Sequence, residues 1–261
     1  MSAAPPTATA YPYQEEVNQA ILGYIDGQRV PADRRRVLDV GCGYGALGQE
    51  FRDRGYEVWG IERDPTAVSR ATERLDRVVT ADLTDTDLIA RELAGNRFET
   101  IVFSDVLEHM PDPHGLVVGL LPHLAPGGRV IISVPNVANW HTRLSLLFGR
   151  FTYRDTGVLD RTHVRFFTVR SATEFVRGCG LQVRSMHYTP MLVRVLLPLV
   201  KARLLRPDAS AGAQAISGSP LYRRYLRWVY PIERRLARLL PGLLAFQVVI
   251  VAEASPEGPS T

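Results

Sequence analysis

Short apolar runs alternate with amphipathic stretches over most of the chain. Seven runs have the length and the apolar or β-branched content of strands, at 37–40, 56–61, 78–80, 98–104, 129–134, 181–187 and 245–252. Between the first six, apolar positions recur at three and four residues, which is the spacing of a helix with one buried face. Strands that alternate with helices predict an α/β fold, a parallel sheet covered on both sides.

The two ends of the chain and one internal segment depart from this pattern. Residues 1–10 are small, Pro-rich and Thr-rich, so we predict a disordered tail there and a second one at 255–261. Residues 189–242 form an arginine-rich insertion before the seventh run. The remaining residues, 11–188 and 243–254, are numerous enough to form one domain with a sizeable core.

The first run leads into a turn with glycine at alternate positions, Gly41, Gly43 and Gly45. Glycine lets the backbone bend sharply and approach a ligand where any Cβ would collide. The helix that follows, from Ala46, offers unsatisfied N–H groups at its start. A strand, a glycine turn and a helix in this order predict a nucleotide-cofactor site.

Two classes of cofactor fit such a turn. The spacing of Gly41, Gly43 and Ala46 also matches the dinucleotide fingerprint. Asp39 favours the other class, because a carboxylate at the end of the strand repels a pyrophosphate but attracts an ammonium. S-adenosylmethionine (SAM) carries an amino-acid end and no phosphate. Glu62, about twenty positions further on, is placed to accept hydrogen bonds from ribose hydroxyls, unless it is a solvated loop charge.

Residues Asp39–Gly45 resemble the first motif of the class I SAM-dependent methyltransferases. In that family the residues after the third strand meet the adenine, so the resemblance implies that Asp82 binds the exocyclic amine and the Leu83 backbone serves a ring nitrogen. Pro126-Gly127-Gly128, before the fifth run, is a further family signature. The resemblance implies SAM as cofactor and a Rossmann-like fold. Its sheet is doubly wound, mostly parallel and seven-stranded, with an antiparallel last strand that follows a helical insertion.

The fourth run ends at Ser104 and is followed by the motif Val106–His109. The end of this strand faces the ligand in open sheets of this kind, so we add Ser104 and Glu108 to the predicted cofactor residues. Val106–His109 resembles the post-strand motif of methyltransferases related to those of ubiquinone biosynthesis. A dehydrogenase would account for the glycine turn and Glu62 only.

Residues 135–167 break the alternation and are dense in polar and aromatic side chains, as in a segment that binds an acceptor substrate. Within this region and just beyond it, 157–168 resembles a segment of bacterial methyltransferases from cell-surface glycan and glycolipid pathways. We therefore predict methyl transfer to a hydroxyl of a sugar, glycolipid or other small molecule. A phenolic or quinone-like metabolite is the alternative acceptor, and a noncatalytic SAM-binding module is the alternative from another functional class.

A hydroxyl acceptor has to lose a proton, and histidine is suited to accept it near neutral pH. His163 is the first candidate for this base, followed by His109 and His141, and we count Asp160, close to His163 in the sequence, with them as a predicted catalytic residue. A structural role for His163, as a hydrogen-bonding residue that holds its loop, is the other interpretation. Because no set of ligands has the spacing of a metal site, we predict no metal.

Composition bears on the location of the protein. Cys42 and Cys179 are the only cysteines, so no disulfide framework is implied and a reducing compartment is expected. The first residues lack the basic and apolar regions of a secretory signal. No apolar run approaches the ~20 residues that a membrane span needs. We predict a cytoplasmic protein.

The insertion carries the positive charge of the chain. It has ten Arg and Lys residues and two acidic ones, a formal balance of +8, whereas the whole chain is +4. Helical spacing predicts one apolar face, formed by Leu221, Tyr225, Trp228, Ile232, Leu236 and Leu239. Such helices bind anionic membrane surfaces at the inner face of the membrane, but helices that cover the sheet or form an oligomer contact fit equally well. We expect no nucleic-acid partner, because no nucleic-acid motif accompanies the charge.

Overall fold

The computed structural model describes residues 17–26, 36–191, 224 and 227–254. Its strands are β1 (Arg36–Val40), β2 (Glu57–Glu62), β3 (Arg77–Thr80), β4 (Phe98–Ser104), β5 (Leu124–Pro135), β6 (Leu181–Pro190) and β7 (Ala245–Ala254). They form one seven-stranded sheet in the order β3-β2-β1-β4-β5-β7-β6. Pairing is parallel from β3 to β5, and β7 lies antiparallel between β5 and β6. The predicted doubly wound sheet with an antiparallel last strand is confirmed.

Helices connect the strands and cover both faces of the sheet. They are α1 (Gln19–Asp26), α2 (Ala46–Asp53), α3 (Pro65–Arg74), α4 (Thr86–Glu92), α5 (Pro113–Leu120), α6 (Trp140–Leu147), α7 (Val169–Gly178), α8 (Tyr230–Leu239) and α9 (Pro241–Leu244). Side-chain caps fix where they begin. The Asp64 carboxylate accepts hydrogen bonds from the first turn of α3, and Thr168 forms a capping box with Ser171 at α7.

Two hydrophobic clusters lie on opposite faces of the sheet, because successive residues of a strand point to opposite sides. In β1, Leu38 packs into the cluster that also includes residues of α4, α5 and α7, whereas Val37 packs into the cluster that includes residues of α1, α2 and α3. Both faces are therefore apolar and covered. This leaves the carboxyl edge of the parallel strands as the place for chemistry.

The structure differs from the sequence prediction at the start of β5. The Pro-Gly-Gly segment, predicted to be a turn before the strand, lies within β5, which begins at Leu124. The pairing jumps from Phe98–Leu124 to Thr100–Arg129, so the extra residues bulge out of the ladder. Buried Leu124 pairs with the first residue of β4 and thereby extends the strand past the bulge.

Several predictions about the ends of the chain and the insertion lie outside the described residues. They are the two tails, 1–10 and 255–261, and the insertion over 192–223 and 225–226. The domain boundaries stay predictions, although β6 already includes Thr189 and Pro190. None of the helices in the described part of the chain has the length and hydropathy that crossing a membrane requires.

Candidate active site

The strand order reverses direction between β1 and β4, which are neighbours in the sheet although β2 and β3 separate them in sequence. In open α/β sheets, ligands bind outside the carboxyl ends of the strands at such a switch point. The glycine turn follows β1 here, and the motif Val106–His109 follows β4. The topology therefore brings the two most specific sequence motifs to one edge.

The glycine turn has the backbone that its sequence predicts. Gly41, Gly43 and Gly45 all have positive φ, at 70°, 53° and 75°, where residues with a Cβ are strained. A Cβ on Gly41 would lie 2.8 Å from Cγ2 of Val106. The turn therefore packs closely against the residues that follow β4, and a side chain at Gly41 would collide with Val106.

Asp39 is buried just before the turn, with 2% of its surface exposed, and its Oδ2 has no hydrogen-bond partner among the described residues. Burial, and after it the nearby Glu62 carboxylate, raise the pKa of Asp39 to about 7. An orphaned carboxylate oxygen beside a glycine turn fits a ligand that brings a positive charge and N–H donors, as the ammonium of SAM does. The residues present therefore fit the predicted cofactor.

Glu62 lies at the end of β2, as predicted, and is buried. Its Oε2 accepts a hydrogen bond from Gly43 N at 3.0 Å, and its Oε1 accepts from Arg63 N and Asp64 N at 2.7 and 2.9 Å. The carboxylate thus ties the glycine turn to the next strand and is not a solvated loop charge. Its ribose contact stays a prediction.

Asp82 and Leu83 follow β3 at the same edge. The Asp82 carboxylate pairs with Arg63 Nη1 at 2.8 Å and accepts from the Thr84 backbone and hydroxyl. These hydrogen bonds lower the pKa of Asp82 to about 2, so it is ionised at neutral pH. Leu83 would lie 3.6 Å from a Cβ on Gly41, which places it beside the glycine turn. The adenine contacts stay predictions.

After β4 the backbone turns through Asp105, which has a positive φ of 55°. The Asp105 carboxylate accepts hydrogen bonds from Ser133 Oγ at 3.0 Å and from Gln247 Nε2 at 2.8 Å. These contacts hold a strained backbone next to half-buried Ser104. Asp105 was not among the predicted site residues. Its only signal was its place directly after β4, and its partners lie on β5 and β7.

A short 3₁₀ turn, Leu107–His109, presents Glu108 and His109 to the loop that carries His163. The Glu108 backbone carbonyl accepts from Val164 N and Arg165 N at 2.9 and 3.0 Å, which pins that loop. The rings of His109 and His163 are 4.7 Å apart, centroid to centroid, and edge to face. Burial lowers the pKa of both imidazoles, so both favour the neutral form.

The other two predicted catalytic residues lie in different surroundings. Asp160 is buried, and its Oδ1 accepts from the backbone and hydroxyl of Thr162, whose Oγ1 lies 3.1 Å from His109 Nδ1. Asp160 therefore positions His109 through Thr162. His141 lies on α6 with its ring against Trp140. Among the described residues it is not part of the histidine cluster.

A separate cleft of about 610 Å³ lies between α6, α7 and the α9 turn. Its lining includes Arg143, Arg177 and Met186 but no residue of the glycine turn or of the Val106–His109 motif. We therefore place the chemistry at the carboxyl edge and not in this cleft.

Known proteins are similar to this chain in sequence or in fold. A family model described as a methyltransferase domain matches residues 13–186. A ubiquinone biosynthesis O-methyltransferase from Paracidovorax citrulli is 30% identical over 191 residues, which cover 70% of this chain and 79% of that protein. A SAM-dependent methyltransferase from Archaeoglobus fulgidus has the same fold, with a TM-score of 0.54 at 17% identity over 90% of each chain. Magnesium protoporphyrin IX methyltransferase from Synechocystis PCC 6803, solved with bound SAH, has a TM-score of 0.52 at 14% identity, over 91% of this chain and 80% of that one.

Proposed function

This chain belongs to the class I SAM-dependent methyltransferases, and we propose that it methylates a hydroxyl oxygen of a sugar, glycolipid or other small molecule. The carrying observation is the pair of neutral-favouring histidines beside the end of β4, half-buried His109 and buried His163, whose rings are in contact. A nitrogen acceptor often has a lone pair ready at neutral pH, whereas a hydroxyl has to give up a proton. A neutral imidazole is suited to take that proton.

SAM supplies an activated methyl group when bound, so the protein mainly has to hold and align the two reactants. On this proposal Asp39 binds the positive end of the cofactor, and Glu62 keeps the glycine turn in shape through its hydrogen bond to Gly43. His163 donates its Nδ1 proton to the Val158 carbonyl at 3.1 Å, which leaves the basic lone pair on Nε2. His163 is therefore the first choice for the base.

The surroundings of His163 support an acceptor with an apolar part. Phe151, Tyr153 and Phe166 form a partly exposed aromatic cluster, and the Phe166 ring is 6.3 Å from that of His163. A lipid-linked sugar has a hydroxyl for the base and an apolar portion for these rings. A phenolic, quinone-like acceptor has both features too, and the similarity to an O-methyltransferase of ubiquinone biosynthesis favours it.

Incubation with labelled SAM and two sets of acceptors tests this proposal, lipid-linked sugars in one set and catechols in the other. His163→Gln should lower turnover by about 10² to 10⁴ without weakening SAM binding. His141→Gln is the matched control and should keep nearly full turnover, because that side chain lies outside the cluster. No methylated product in either set would contradict the hydroxyl acceptor, and full turnover of His163→Gln would contradict the base.

We also propose that α8 and the insertion before it bring the enzyme to the inner face of an anionic membrane. On α8, Glu233 and Ala237 are buried, while Ile232, Leu236 and Leu239 are exposed. α8 itself packs against β6, but the predicted apolar face points away from the sheet in the described part of the chain, so covering the sheet does not account for this face. Exposed arginines lie on the same helix at positions 234, 235 and 238, and another precedes it at position 227. This combination is typical of helices that lie in the membrane interface.

Flotation with vesicles tests the membrane proposal. Wild-type protein should float with phosphatidylglycerol vesicles, stay behind with phosphatidylcholine vesicles, and lose binding as salt is raised. Arg235→Gln should weaken flotation, whereas Arg170→Gln, the same change of charge on α7, should not. If the wild type stays unbound beside anionic vesicles at low salt, the membrane proposal is wrong, and a dimer measured by light scattering becomes the explanation for the apolar face.

A further inference from the structure

Glu108, His109 and His163 each offer one ligand atom to a common point, and these three atoms lie within 4.8 Å of one another. We propose that the three side chains bind a divalent transition-metal ion of the zinc class. The sequence predicted no metal, because the ligands are separated by more than fifty residues and match no spacing of a metal motif. The loop contacts to the Glu108 carbonyl bring them together.

The Glu108 carboxylate is the first indication of a missing partner. Only 1% of the residue is exposed, and both carboxylate oxygens are buried without a hydrogen-bond partner among the described residues. A buried carboxylate without partners costs several kcal/mol, so buried charges are normally paired or coordinate a metal. The surroundings of Glu108 make this cost larger, since Asp105 and Asp160 repel its negative charge. A cation at this point would remove the cost.

Each of the two histidines has a backbone carbonyl beside one ring nitrogen, as metal-binding histidines usually do. Metal-binding histidines usually donate one ring N–H to a carbonyl or similar acceptor, which fixes the tautomer and leaves the other nitrogen for the ion. His163 Nδ1 lies 3.1 Å from the Val158 carbonyl oxygen. His109 Nδ1 lies 3.3 Å from the Thr162 carbonyl oxygen and 3.1 Å from Thr162 Oγ1. Because Thr162 Oγ1 donates to Asp160 at 2.7 Å, it accepts at His109. Both rings are thus held with the lone pair on Nε2.

The donor set selects the kind of ion. Imidazole nitrogens suit zinc and neighbouring transition metals, whereas magnesium and calcium prefer sites made of oxygen alone. Two histidines and one glutamate are a donor set of catalytic zinc sites, which keep a further position open. Around a tetrahedral zinc ion, ligand atoms at about 2.0 to 2.1 Å from the metal are roughly 3.4 Å apart. Small side-chain movements would close the present cluster to that size.

The role of the ion rests on the proposed hydroxyl acceptor. An acceptor oxygen in the open position would lose its proton more easily, because a bound cation lowers the pKa of a coordinated hydroxyl or water. His109 and His163 would then act as ligands, and the ion would take over the activation assigned above to His163.

Calorimetric titration with ZnCl₂ tests the binding itself, without SAM or acceptor. The full-length chain, stripped with a chelator, should bind one zinc ion per chain with a Kd of about 1 µM or tighter. Glu108→Gln, nearly isosteric, and His163→Gln should each weaken binding at least about tenfold. His114→Gln is the matched control, since His114 lies on α5 and bonds the Gly178 carbonyl. Cobalt(II) absorption provides an independent readout of the coordination geometry.

Each outcome decides the inference. Zinc binding that is weakened in both variants and retained in His114→Gln, with unchanged circular dichroism, supports the site. No binding by the wild type, or equal binding by Glu108→Gln, overturns it. Displacement of zinc by a moderate excess of MgCl₂ would overturn the assignment to the zinc class. Methyl transfer by chelator-stripped enzyme would overturn the proposed role of the ion. The hydroxyl-acceptor proposal would still stand, so the two proposals can fail separately.

Discussion

Replacing Asp39 with asparagine should stabilise the ligand-free protein increasingly as pH rises. An unfolded aspartate ionises near pH 4, whereas burial raises the pKa of Asp39 to about 7 in the folded chain. Between these values the native state holds one proton more than the unfolded state. The free energy of unfolding therefore falls by about 1.4 kcal/mol per pH unit over this window. Asparagine does not ionise, so the free energy of unfolding of the variant lacks this decrease.

Integrated from pH 5 to pH 8, the difference between the variant and the wild type should grow by about 2 to 3 kcal/mol. For a domain of this size this is a change of roughly 5 to 10 °C in the difference between their melting temperatures. Calorimetric melting across this range measures it. Asp53→Asn, an exposed carboxylate at the end of α2, is the control and should follow the wild type.

The same substitution should weaken SAM binding by about 10- to 100-fold, since a charge-assisted hydrogen bond to the cofactor is lost. The substitution should thus stabilise the ligand-free protein but weaken SAM binding. A carboxylate with a purely structural role would not show this combination. Melting curves of Asp39→Asn and wild type that run parallel from pH 5 to pH 8 would refute the burial argument. Unchanged SAM affinity would refute the role of Asp39 in the cofactor site.

Three further substitutions test the rest of the edge. Gly43→Val should abolish SAM binding measured by calorimetry while the chain keeps its circular dichroism; Gly95→Val, at a positive-φ glycine with open space around it, controls for backbone strain alone. Glu62→Gln should cost the ligand-free protein about 1 to 3 kcal/mol in denaturant unfolding, because an amide NH₂ cannot accept from the turn; unchanged stability would contradict this structural role. Thr162→Val should lower turnover about tenfold at unchanged SAM affinity by releasing His109, whereas Thr173→Val, an exchange on α7, should leave turnover as it is.

Much of the fold could be predicted because its signals are local. Apolar runs and turn residues mark each strand, and Asp64 and Thr168 mark helix starts by side-chain hydrogen bonds within three residues. The glycine turn could be predicted equally well, because a positive φ at three alternate positions favours glycine. Because parallel strands end at one edge, predicted strand ends also placed Asp39, Glu62, Asp82 and Ser104 at the same site.

Features that depend on contacts between distant residues were missed. The histidine cluster joins the end of β4 to a loop more than fifty residues later, and no periodicity reports such a contact. Asp105 owes its conformation to Ser133 and Gln247, which lie on other strands. The direction of the α8 apolar face was also undecided in the sequence, because its spacing is the same whether it packs on the sheet or faces outward.

The carboxyl edge holds buried acidic side chains close to other carboxylates, Asp39 beside Glu62 and Glu108 beside Asp105 and Asp160. Glu62 raises the cost of charge on Asp39, and Asp105 and Asp160 do the same at Glu108, so both sites repel a negative ligand and attract a positive one. Asp39 Oδ2 and both oxygens of Glu108 lack partners among the described residues, while the core on either side of the sheet is apolar and well packed. Unpaired buried carboxylates reduce stability, and a fold retains them where a ligand repays the cost. One orphan lies beside the glycine turn and the other beside two imidazoles. The first site therefore suits the cationic cofactor of the family, and the second suits a cation held by nitrogen and oxygen, where we propose that the acceptor hydroxyl binds.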